Sequence, residues 1–252
     1  MMSPEMPETR KQFHEELDDL RQTIVRAAAM VTEGIPRTTE VLLSNDLAGA
    51  QALIEADDEL DYLSLEIEEH AIRLMALQQP MASDLRSIVA ALKLNGEIER
   101  SGDLVVNIAK ASRRIHGVEF NPRCRGIIQA MSDQSAKLYR FAIDAYIDGD
   151  ASLAAALDDM DDRLDGLNKE FIQAIFEAHG QGGLDLQAAV QLALVSRYYE
   201  RIGDHAVNMG EMVQFVVGGW LPEHSGAARV KARRMAADET SAEADNGPDP
   251  AG

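Results

Sequence analysis

A chain of 252 residues with 46% hydrophobic residues can bury a sizeable core unaided, and its 5% aromatic content suits packed helices better than sheets. The single cysteine, Cys124, excludes an intramolecular disulfide and points to a reducing compartment, while a formal net charge of −19 excludes nucleic-acid binding through a broad basic face and suits a cation or a basic partner surface. No stretch approaches the roughly 20 apolar residues of a membrane span, and the first residues lack a basic, then apolar leader. The expectation is a soluble cytoplasmic protein without direct membrane insertion, reaching a membrane only through partners.

Apolar residues recur at helical spacing almost throughout. The first predicted helix covers 9–43, with Gly34 and Pro36 expected to kink it, and a second follows Ser44-Asn45-Asp46 over 46–77. Gln79-Pro80 breaks the chain before a third over 82–115. There Ser83 or its neighbour is expected to cap the first free amides, and Asp84 to complement the helix dipole. Gly117 through Pro122 precedes a fourth helix over 123–148, Asp148-Gly149-Asp150 a fifth over 150–178, and Gly180 through Gly183 a sixth over 184–216. Beyond Trp220-Leu221-Pro222 a short basic run, Arg229, Lys231, Arg233 and Arg234, gives way to an acidic end, and 223–252 is expected to be a disordered tail.

An internal repeat organises these helices. Glu99-Arg100-Ser101-Gly102-Asp103 returns as Glu200-Arg201-Ile202-Gly203-Asp204, with Asn107 matched by Asn208, and Asp57-x-x-Leu60-Asp61 returns as Asp161-x-x-Leu164-Asp165. Two copies of one helix–helix–helix unit result, 9–116 and 121–216. The predicted fold class is therefore all-α, a tandem repeat of two three-helix bundles.

Each copy carries two acid pairs spaced i, i+4, and side chains four apart lie on one helix face. Asp57 and Asp61 join Glu99 and Asp103 in the first copy; Asp161 and Asp165 join Glu200 and Asp204 in the second. Leu85, Ile88, Val89 and Leu92 define an apolar stripe that leads to Glu99 and Asp103, and Leu186, Val190 and Ala193 lead to Glu200 and Asp204, so the acids are expected at core positions. Crowded, desolvated carboxylates repel one another unless protonated, paired or bound to metal, and Arg100 and Arg201 can neutralise only part of that charge. The oxygen-rich set favours Fe³⁺, Mn²⁺, Mg²⁺ or Ca²⁺ over a thiolate zinc site. His205 is expected at the surface or behind the ligands. Asn107 and Asn208 either extend the sites or bond helix to helix, Gly102 and Gly203 mark a close approach, and Glu68, on the face of Asp57 and Asp61, reads as a solvated charge.

Gln79-Pro80-Met81-Ala82-Ser83-Asp84-Leu85-Arg86, followed by Glu99-Arg100-Ser101-Gly102-Asp103 and its echo at Glu200 to Asp204, resembles the pattern of the PhoU family of phosphate transport accessory proteins. The resemblance covers about 9–216. It implies two PhoU domains with metal clusters at Asp57, Asp61, Glu99, Asp103, Asp161, Asp165, Glu200 and Asp204, iron first, with Mn, Mg, Ca or Zn as alternatives. It further implies negative control of the phosphate-starvation response without catalysis. The implied partners are the ATPase subunit of the phosphate ABC transporter and the sensor histidine kinase, and a homodimer is compatible with it. Ser101 stands where the family pattern has Ile, a departure expected to loosen packing there. Two other readings remain: a carboxylate-metal hydrolase acting on phosphate esters, and a metal-free helical adaptor.

Overall fold

The computed structural model describes residues 8–78 and 80–219. Among them run seven helices and no strand: α1 (Glu8–Ser44), α2 (Leu47–Glu55), α3 (Asp57–Gln78), α4 (Ser83–Arg114), α5 (Pro122–Asp148), α6 (Ala151–Gly180) and α7 (Leu186–Gly218). The segment expected as one helix over 46–77 is two, α2 and α3, parted at Ala56. Asp57, Asp58 and Glu59 crowd the first turn of α3, where the free amides favour negative charge, so the break gives these acids a helix start of their own. Pro36 lies inside α1 without ending it.

The caps follow the local chemistry. Asp46, Asn121, Asp150 and Asp185 each accept a hydrogen bond from a first-turn amide of the helix they precede, and Pro122 opens α5, where its missing N–H costs nothing. Ser83 does not cap α4. The cap position falls to Ala82, at φ 50° and without a side-chain bond, while Asp84 does occupy the first turn.

The two repeats share one continuous core because α4 lies against α7 and α1 against α5. Polar pins cross that core: Thr39 of α1 meets Ser132 of α5 and the Tyr199 hydroxyl of α7, each at 2.7 Å. Within each repeat α3 packs on α4 and α6 on α7. Those two helix pairs carry the repeated acids, so packing sets their separation. The expected tail at 223–252 lies outside the described residues.

Candidate metal centres

In each repeat a glycine lets the two acid-bearing helices touch. A Cβ on Gly102 of α4 would stand 2.2 Å from Leu60 Cδ2 and 3.8 Å from Asp57 Oδ1, and one on Gly203 of α7 would stand 2.4 Å from Asp161 Oδ1 and 2.6 Å from Leu164 Cδ2. The close approach expected at these glycines is therefore made by leucine and aspartate side chains rather than by backbone. Asp57 lies over the glycine beside Asp103, and Asp161 over the glycine beside Asp204.

The electrostatics record this crowding. Burial, then Asp61 and Asp103, push the Asp57 carboxyl above its ordinary range, against an opposing pull from Lys110. Burial, then Asp204, Asp165, Asp158 and Asp162, push Asp161 up to about 7. Its Oδ1 is buried with no hydrogen-bond partner. Glu99 shares a surface recess with Asp61, Ser64, Leu65 and Glu68, so Glu68 faces the same hollow as two of the expected acids. Glu200 is buried and ion-paired with Arg197, whose Nη2 lies 4.0 Å from Asp204 Oδ2. The cation beside the second cluster is thus Arg197, while Arg201 is exposed.

The apolar stripes drawn from the sequence are corrected by the structure. Leu85, Leu186 and Val190 are exposed, and so are Asp61, Glu99, Asp103 and Asp204. The core face of α4 is set by Ile88, Ala91, Leu94, Ile98 and Val105. α4 packs against α1, α2, α3 and α7, so its buried positions wrap most of the helix and spacing alone selects no single face. Asp57, Asp161 and Asp165 are half-buried at the seams between helices.

A polar group at the α4–α7 seam escaped the sequence reading. His205, expected at the surface or behind the ligands, is buried, and its Nδ1 lies 2.7 Å from Glu97 Oε2. Asn208 Nδ2 donates to the same oxygen at 3.0 Å, and Arg100 Nη2 donates to Glu97 Oε1 at 2.6 Å. Burial opposes the Glu97 charge, yet the bonds from His205, Asn208 and Arg100 hold its pKa at about 2. Asn208 thereby joins helix to helix. The signal was a break in the repeat: Glu97 stands opposite Tyr198, and His205 opposite Leu104, in the register that matches Asp103 with Asp204. Ser101 is fully buried and donates to the Glu97 carbonyl at 2.7 Å, one turn back.

As donors, these carboxylates suit a hard cation, and the orphaned Asp161 Oδ1 and the mutual repulsion are what such an ion would relieve. In position they stand apart: among the described residues no three His, Cys, Asp or Glu side chains gather closely enough to hold a metal ion. The sites fit a cation in chemistry and charge, and closing them around one requires side-chain movement.

A model of the PhoU domain family matches residues 24–112 and 128–213. The chain is 32% identical over 214 residues to the phosphate-specific transport system accessory protein PhoU homolog 2 of Mycobacterium tuberculosis, a match spanning 84% of this chain and 100% of that protein. It is 30% identical over 223 residues to the PhoU homolog of Zymomonas mobilis, covering 88% and 93%. The crystal structure of PhoU from Pseudomonas aeruginosa is similar with a TM-score of 0.77 at 28% identity, over 82% of this chain and 100% of that one.

Proposed function

The chain belongs to the PhoU family, and from that premise we propose that it is an accessory protein regulating phosphate transport rather than an enzyme. The observation that carries the reading is the match to an accessory protein of the phosphate-specific transport system over that protein's whole length. In this reading the protein represses the phosphate-starvation response as an adaptor between the ATPase subunit of the phosphate ABC transporter and a sensor histidine kinase. It works in the cytoplasm at the inner face of the membrane; no helix among the described residues is long and apolar enough to cross one.

The repeats 9–116 and 121–216 serve as two cation-carrying units, iron being the leading candidate. A bound cation neutralises facing carboxylates, tying α3 to α4 through Asp57, Asp61, Glu99 and Asp103, and α6 to α7 through Asp161, Asp165, Glu200 and Asp204. Deleting the gene is expected to derepress phosphate-starvation genes in phosphate-rich medium. Intact repression in a strain with no second copy would overturn the regulatory reading. Metal analysis of protein purified without chelators tests the cation reading: Glu99→Ala with Asp103→Ala is expected to remove roughly half of the bound metal, and unchanged stoichiometry would count against it.

A further inference from the structure

Three cations in the last turns of α4 stand outside the site described above. Lys110, Arg113 and Arg114, at i, i+3 and i+4, are exposed and line one open recess of about 360 Å³. In a chain of net charge −19, none of the three takes part in an ion pair among the described residues. Neutral amides hold the two guanidiniums instead. Arg113 Nη1 donates to Gln51 Oε1 of α2 at 2.9 Å, and Arg114 Nη1 donates to Gln191 Oε1 of α7 at 3.3 Å. Gln51 in turn gives its own amide to Glu55 Oε1 at 2.8 Å, so that carboxylate is engaged by an amide. Each arginine keeps further N–H donors, because a guanidinium carries five.

Cations at a helix C-terminus also complement its dipole, and that alone could place them there. The repeat argues otherwise. In the register that matches Asp103 with Asp204, the equivalent residues of α7 are Glu211, Gln214 and Phe215. α7 closes without a basic residue in its last turn, through Gly219 at φ 78° with its N–H on the Phe215 carbonyl, and α1 and α5 also end without one. Closing a helix in this fold does not require a basic triad, so its ligand is sought outside the chain.

We propose that Lys110, Arg113 and Arg114 form a binding site for a phosphate oxyanion, supplied as free inorganic phosphate. Two guanidinium forks match the oxygen edges of a tetrahedral anion, and the ammonium adds a mobile point charge. Gln51 and Gln191 Oε1, each already bonded to one of the arginines, keep a lone pair that can accept the O–H of hydrogen phosphate, a donor that sulfate lacks. The choice of phosphate among oxyanions rests on the proposed role in phosphate transport; the recess itself does not. Lys110 is also one of the charges acting on Asp57.

The test is a ¹H–¹⁵N NMR titration of the full chain with sodium phosphate at constant ionic strength. Saturable shifts are expected at Lys110, Arg113 and Arg114, with a dissociation constant on the order of 1 mM for so open a site. The variant Lys110→Gln, Arg113→Gln, Arg114→Gln is expected to bind at least about tenfold more weakly. Lys110→Gln alone, which removes no described hydrogen bond, should weaken binding in the same direction. Lys137→Gln with Arg140→Gln, two exposed cations elsewhere, should leave it unchanged. Equal shifts from chloride, equally tight sulfate, or a triple variant that titrates like its parent would each overturn the assignment. None of these results bears on repression in the deletion strain, so the two readings fail separately.

Discussion

Replacing Gly203 with alanine tests whether the seam between α6 and α7 is as tight as the structure draws it. The added methyl would fall 2.4 Å from Asp161 Oδ1 and 2.6 Å from Leu164 Cδ2. Leu164 is fully buried and the Asp161 oxygen is buried too, so neither can simply swing into solvent. Overpacking of this kind costs about 1–3 kcal/mol, while exchanging glycine for alanine inside a helix returns about 1 kcal/mol. The net expectation is a loss of about 0–2 kcal/mol, or a melting temperature lower by up to about 8 °C for a chain of this size. Gly166, in α6 and exposed, supplies the control, since a Cβ there meets nothing within 4 Å. Gly166→Ala should therefore raise stability by about 0.5–1 kcal/mol through helix propensity alone. Urea and thermal unfolding of the two variants in metal-free buffer decide the matter. If Gly203→Ala is as stable as Gly166→Ala, the close contact between the acid-bearing helices is wrong, and with it the placement of Asp161 against Asp204.

Two further predictions turn on pH and have opposite signs. The Asp161 pKa is raised to about 7 in the fold from an ordinary 3.8, so its contribution to stability is complete below the unfolded value and lost as pH rises through 7. Asp161→Asn, which stays neutral, is expected to stabilise the metal-free protein at pH 8 and to change little at pH 4; equal effects at both, by urea unfolding, would refute it. Glu97 is held at about 2 against an ordinary 4.5, so its contribution is present above the unfolded value and fades as pH falls towards 2. Glu97→Gln should cost about 1–3 kcal/mol at pH 7 and progressively less in acid; a loss that does not shrink as the pH is lowered would mean that the bonds to His205 and Asn208 do not depend on the carboxylate charge.

The all-α fold was legible because its signals are local. Asp46, Asn121, Asp150 and Asp185 sit where side-chain oxygens can reach first-turn amides, and each does so. The repeat was equally plain, since Gly102 and Gly203 mark the same event in both copies: a helix closing on its acid-bearing neighbour. The break at Ala56 was hidden because Ala56 keeps helical dihedrals, φ −69° and ψ −14°, and its N–H still bonds to Ala52. Nothing in an alanine announces a helix end, whereas the acids behind it do favour a helix start.

Burial around α4 and α7 was misread for a different reason. Periodicity finds one apolar face, but a central helix with neighbours on several sides has no single face to find. Leu85 and Val190 looked like core and are exposed, while His205, expected at the surface or behind the ligands, is buried. The two copies are alike where α3 meets α4 and α6 meets α7, because the same acids and glycine build both seams. They differ where the copies meet each other, since α4 and α7 face one another there and cannot both offer the same side chain. Glu97 on one helix and His205 with Asn208 on the other form such a complementary pair. The departures from the repeat, Glu97 against Tyr198 and Leu104 against His205, therefore record the contact between the halves, as the repeated acids record the contact within each half.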